Sequence, residues 1–369
     1  MEDRNPDEED RRRIPRELPF ILLGVLLALE LYRRLFLGYI PHDFGAYLAA
    51  ADTFSRGLDP YSEAIFDSPL YQGYPYIYAP ASLYLTLLVS HLPTVLVTAL
   101  DAILRMAIFI ASMGWLQKKL QLRPDLPTLL FVGCFFAPFA FDFMTGNLET
   151  YMFFGLIVVV GLADRSGIAV PLLGGVIVGL LLFVKPMWLI AAVAALVALR
   201  GWLVLTGLIA GAMTATAVSL ASQDLYTSWL ARLGEVREFY GAVNYLEFSP
   251  WLYGLAIFAW AGAGLWILKT RGFGGDTWIY ACTSIVIWPR IDLYSYMILL
   301  PVLLFLWREL GGVRAMLIAL PLVGPLPWVL ASYDRIISLT VLLVWASICA
   351  ALVASVFIVG QEERSSRRL

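Results

Sequence analysis

The stretch YIYAPASLYLTLLVSHL, Tyr76–Leu92, decides the fold. It is apolar enough to be a membrane span. It also opens on Tyr74, Tyr76 and Tyr78 and carries Pro75 and Pro80, which suits a helix lying at a membrane interface. The choice fixes the side of every later loop. Read as a span, the block puts Lys118, Lys119 and Arg123 outside. Read as an interfacial or re-entrant helix, it leaves 95–117 as the second span and those three residues cytoplasmic.

Charge favours the second reading. The N-terminal tail carries Arg4, Arg11, Arg12, Arg13 and Arg16, and the positive-inside rule makes it cytoplasmic. Outward from the deciding stretch, spans are expected at 18–37, 95–117, 126–142, 148–163, 167–184, 187–199, 202–221, 250–268, 275–289, 293–307, 314–331 and 336–359. Cytoplasmic turns then hold Arg165, Arg200, Lys269, Arg271, Arg308 and Arg314, and the C-terminal tail adds Arg364, Arg367 and Arg368. Most of the 26 Lys and Arg residues fall on that side.

The expected fold is all-α, a polytopic transmembrane helical bundle of about 12 spans with interfacial helices in its first outer loop. Residues 1–17 form a cytoplasmic basic tail, 18–359 a single membrane domain and 360–369 a second cytoplasmic tail. Within the domain, 38–94 and 222–249 are the larger outer loops. The chain is expected to be a multi-pass cell-membrane protein.

Composition agrees. Of 369 residues, 60% are hydrophobic and 15% charged, against about 25% charged in soluble domains; the mean hydropathy is +0.77. A net charge of −2 argues against a nucleic-acid partner. Cys134, Cys282 and Cys349 all sit in apolar blocks without metal or redox spacing. With only His42 and His91 besides, neither a metal nor a cofactor is expected. The head Met1–Glu17 is long and charged and no small-residue cleavage site follows the first apolar block, so a retained span is expected there rather than a cleaved signal.

This topology gathers polar groups on the face opposite the cytoplasm. His42-Asp43-Phe44-Gly45-Ala46-Tyr47 follows the first span, and helical spacing over 44–55 puts Asp43 at an N-cap; it is either a cap or a reactive acid. Asp142 and Glu149 flank a Gly146-Asn147 turn, which reads as a capped helical hairpin or as a site. Lys185 precedes Pro186 on the side poor in cations, where it either snorkels or meets a phosphate. The amphipathic, aromatic segment 222–249 is a cover over a cleft or a solvated helix. Arg290, Asp292, Tyr294, Ser295 and Tyr296 form the last group, and Arg335 also sits at the outer end of a span. Asp101 and Arg105 stand i,i+4 on the second span and pair by default, as Glu30 does with Arg33 or Arg34. Intramembrane charges cost about 2.5–3.5 kcal/mol at the bilayer centre on insertion scales, so each is expected to be paired or functional.

In this order the groups resemble the GT-C superfamily of lipid-linked glycosyltransferases, and within it glycosyltransferase family 87, the polyprenyl-phosphate-mannose-dependent mannosyltransferases. The resemblance runs over most of 18–310. It is carried by Asp43-Phe44 with Tyr47, Gly57-Leu58-Asp59-Pro60-Tyr61, Tyr76-Ile77-Tyr78-Ala79-Pro80, Gly146-Asn147, Gly174 to Gly179 leading to Lys185-Pro186, and Tyr294-Ser295-Tyr296 with Leu299-Leu300-Pro301. Relatives often have His where Ser295 stands.

The resemblance implies Asp43 as catalytic base, with a second acidic motif near Asp142 and Glu149. His42, Tyr47, Asp142, Asn147, Glu149, Asp292 and Tyr294 are expected to contact substrate. Arg105, Lys185 and Arg290 are expected to meet the donor phosphate. The expected reaction moves a hexose, mannose by resemblance, from a polyprenyl-phosphate-linked donor to a hydroxyl of a glycolipid or glycan acceptor. It proceeds by one inverting displacement on the extracytoplasmic face of the lipid bilayer. Two other readings are a transporter or flippase of lipid-linked sugars and a non-catalytic subunit of a membrane glycosylation complex.

Overall fold

The computed structural model describes residues 15–239, 250–287, 293–322 and 345–357. The fold is all-α, and no strand occurs among the described residues. The helices are α1 Leu18–Phe36, α2 His42–Ser55, α3 Pro80–Ser90, α4 Thr94–Lys119, α5 Leu126–Cys134, α6 Ala137–Thr145, α7 Glu149–Ala163 and α8 Ala169–Leu182. They continue with α9 Pro186–Leu199, α10 Trp202–Ala221, α11 Gln223–Phe239, α12 Pro250–Arg271, α13 Leu300–Leu310, α14 Gly312–Ala319 and α15 Trp345–Phe357. Shorter 3₁₀ segments cover Glu63–Asp67, Thr277–Ile287, Leu293–Leu299 and Leu320–Leu322.

Among the described residues, α4 and α10 are the helices both long and apolar enough to cross a bilayer on length and composition. At 1.5 Å per residue, the 26 residues of α4 extend about 39 Å, more than a hydrocarbon core of about 30 Å. The 11 residues of α3 reach only about 16 Å.

The deciding stretch takes its place from its neighbours. Arg34, in the last turn of α1, donates to Thr98 O at 2.5 Å and Asp101 Oδ2 at 3.0 Å in the first turns of α4. It also donates to Phe143 O near the end of α6 at 3.1 Å. The chain therefore leaves α1 and enters α4 at the same end of the bundle, and α3 does not cross it. At the opposite end Lys119 pairs with Asp164 at 2.5 Å. There Arg308 pairs with Asp276 at 2.6 Å and donates to Leu120 O at 3.0 Å, and Gly274 N bonds Ala198 O at 2.8 Å.

Three expectations need correction. The expected span 126–142 is two helices, broken at Phe135-Phe136, where Pro138 opens the next helix and cannot donate a backbone bond. The expected span 275–289 is a tight 3₁₀ run over Thr277–Ile287 with almost every residue buried, as befits a segment apolar all round. The N-cap of α2 is Pro41 rather than Asp43; Asp43 stands one residue inside the helix and bonds elsewhere.

The core is aromatic and tightly seated. Phe109 stacks on Phe139 at 3.7 Å, and Trp188 and Trp278 are wholly buried. α8 and α10 meet backbone to backbone. A Cβ on Gly175 or Gly179 would lie 2.3 Å from Val204 O or 2.2 Å from Leu208 O. One on Gly207 or Gly211 would meet Leu172 O at 2.1 Å or Val176 O at 2.2 Å. Small residues four apart on both partners are how helices associate when lipid removes the hydrophobic incentive.

Candidate functional site

Two polar clusters lie at the end of the bundle covered by the first loop. The inner one is a ladder of buried charge. Arg34 bonds Glu30 at 3.4 Å and Asp101 at 3.0 Å. Arg105 Nε lies 2.8 Å from Asp101 Oδ1, and its Nη1 lies 2.9 Å from Asp142 Oδ2. Arg105 also donates to the main-chain oxygens of Asn147 and of Gly146, the latter at 3.1 Å, and its guanidinium sits 4.8 Å from the Tyr151 ring centre. Asp142 accepts from Glu149 N at 3.0 Å and from the Thr150 main chain and hydroxyl at 3.1 and 2.5 Å. It therefore caps α7 from the preceding helix.

The substrate role expected of Asp142 and the phosphate role expected of Arg105 do not fit this geometry. Both side chains are 0% exposed. Arg105 has four acceptor groups around it, and breaking a buried pair leaves an uncompensated charge at about 3–5 kcal/mol. The pair anchors the 146–147 turn.

The outer cluster starts from that turn. Gly146 closes α6 in the left-handed conformation, φ +73°, which glycine adopts without steric cost. A Cβ there would stand 2.7 Å from Phe44 Cβ and 2.8 Å from Pro41 Cβ, so the turn rests directly on the start of α2. Asn147 Nδ2 donates to Asp43 Oδ2 at 2.8 Å. Asn147 Oδ1 accepts from Leu148 N at 2.7 Å and from Lys185 Nζ at 2.5 Å. Lys185 Nζ also donates to Glu149 Oε1 at 2.7 Å. Glu149, the first residue of α7, accepts from the Trp188 indole as well and from Ser295 Oγ at 3.1 Å. Asp43 is partly exposed, and the Lys185 side chain is 14% exposed while that of Glu149 is 0%.

An aromatic group roofs the cluster. The Tyr47 ring lies 4.8 Å from Tyr78 and 6.1 Å from Tyr76, and Tyr61 donates to Tyr78 O at 2.7 Å. Tyr78 is near enough to Lys185, Asp43 and Glu149 to respond to their charges. Burial pushes the Tyr61 and Tyr76 phenols well above their ordinary range, so both remain protonated donors. α11 closes the side, with Trp229 Nε1 donating to Ile77 O at 2.9 Å. That contact packs one face of the helix on the first loop, while much of the rest of it is exposed. His42 is exposed, its ring 6.2 Å from Tyr39 and 5.6 Å from Tyr74.

The structure thus brings Asp43, Asn147, Glu149 and Lys185 into one hydrogen-bonded group. It buries Tyr47 in the roof, and it places Arg105 and Asp142 behind the turn. Arg290, Asp292, Arg335 and the side chain of Tyr294 lie outside the described residues. Ser295, named in the last polar group without a role, reaches Glu149. Trp188 joins the group unexpectedly; its signal was its place three residues after Lys185, one helical turn along. Among the described residues no three His, Cys, Asp or Glu side chains are placed to hold a metal ion.

No protein-family model, curated protein or solved structure matches this chain.

Proposed function

We propose that the chain is a multi-pass membrane glycosyltransferase of about 12 spans. It moves a hexose from a polyprenyl-phosphate donor to an acceptor hydroxyl, with its site on the extracytoplasmic face. One observation carries the proposal. A partly exposed carboxylate, Asp43, and a partly exposed ammonium, Lys185, are joined by a single amide, Asn147, at the loop-covered end of an apolar bundle.

That pairing suits a single displacement. Asp43 takes the proton of the acceptor hydroxyl as its oxygen bonds to the sugar's anomeric carbon. The bond from that carbon to the phosphate oxygen breaks, and its electron pair leaves with the lipid phosphate. Lys185 is the described cation placed to meet the charge that develops there. With inversion at one centre, one base suffices. Two buried rows of small residues, on α8 and α10, support a bilayer setting, which is where a polyprenyl donor arrives.

The test is reconstitution of the purified chain in lipid vesicles with a labelled polyprenyl-phosphate mannose and a glycolipid acceptor. Covalent transfer by the wild type, lowered about 10²–10⁴-fold in Asp43→Asn, supports the proposal. Label that crosses the vesicle wall without being transferred would replace it with a transporter.

A further inference from the structure

The geometry points to Asn147 as a positioning residue, the amide that holds the Asp43 carboxyl by a hydrogen bond and stands between it and Lys185. The inference rests on the glycosyltransferase reading for its purpose, though not for its test. An amide can be turned either way round, and here the neighbours choose. Two donors, Lys185 Nζ and Leu148 N, converge on Oδ1, so the N–H side must face Asp43. Turned over, the amide would set donors against donors on one side and an oxygen against the carboxylate on the other.

The consequence is chemical. A carboxylate bonded directly to a lysine loses basicity, its titration moving down by about one to three pH units. A carboxylate with no donor near a buried group tends the other way. The amide gives Asp43 a neutral donor where the ammonium would otherwise reach, and that donor is polarised by Lys185 on its far side. Lys185 is kept from swinging over by Glu149, itself held by Trp188 and Ser295. The turn cannot drift, because Arg105 grips the Asn147 and Gly146 carbonyls from behind. Among the described residues, the groups facing Asp43 are Asn147, Lys185 and Glu149 across the turn and Tyr78 from the loop, with His42 beside it on α2.

Infrared titration of the full-length protein in detergent tests this. The Asp43 carboxyl band is identified by its loss in Asp43→Asn. In Asn147→Asp, which keeps an oxygen for Lys185 and Leu148, the Asp43 midpoint should rise by about one pH unit or more. In Asn147→Ala it should rise by less. In vesicles the acid limb of the transfer profile should move by the same amount. A midpoint unchanged in both variants, in protein that elutes like the wild type, overturns the assignment. Wild type that transfers no sugar defeats the enzymatic reading alone, because the infrared midpoint judges Asn147 independently.

Discussion

Two clusters at one end of the bundle both pair acids with basic side chains and end up as opposites. In the inner ladder Arg34, Asp101, Arg105 and Asp142 are buried, and every charge faces its counterpart. In the outer cluster Lys185 pairs with a wholly buried Glu149 while Asp43 keeps part of its surface open. The first arrangement spends its charge on joining α1, α4, α6 and α7. The second leaves one acid and one cation accessible to a ligand. Exposure and pairing, rather than residue type, separate a fastening from a site.

The contrast is broken most severely at Arg105. Arg105→Leu takes the only described ion-pair partner from Asp142 and leaves Asp101 to Arg34, which should cost about 3–5 kcal/mol, read as loss of monodisperse protein in detergent. Asp43→Asn should leave thermal unfolding of the purified protein nearly unchanged, because an isosteric amide on a partly exposed site disturbs little, while transfer falls as proposed above. If both variants lost stability equally, the division into fastening and site would fail. Gly146→Ala comes next. It places a side chain at positive φ and drives a Cβ into Pro41 and Phe44, a cost of about 1–3 kcal/mol. It should also cut transfer by parting Asn147 from Asp43. Trp229→Phe is the gentlest. Losing the bond to Ile77 O should cost about 0.5–1.5 kcal/mol, seen as faster proteolysis of the first loop with the bundle intact.

Much of the frame was legible because bundle helices announce themselves by apolar length. α10 runs Trp202–Ala221 as expected, and α1 ends one residue short of its expected end. The break at Phe135-Phe136 left one mark, Pro138, in an apolar run that otherwise has no period from which to read a kink. In the site, Asp101 and Arg105 were legible as a local pair by spacing. The extension to Asp142 and to two main-chain carbonyls was not, because a carbonyl acceptor leaves no mark in a sequence. Asp43 was found by type and place, but its partner Asn147 lies 104 residues on, and only the folded turn joins them.

The glycine seam between α8 and α10 has a mechanical consequence. Lys185 follows α8 directly, its N–H bonded to Leu182 O at 3.1 Å. The far end of α10 carries the roof: Ser219 Oγ accepts from Ala81 N at 3.1 Å, and Ser222 meets Tyr84 at 2.9 Å. Cation and canopy are thus bolted to one post, whose two halves cannot slide without driving backbone into backbone.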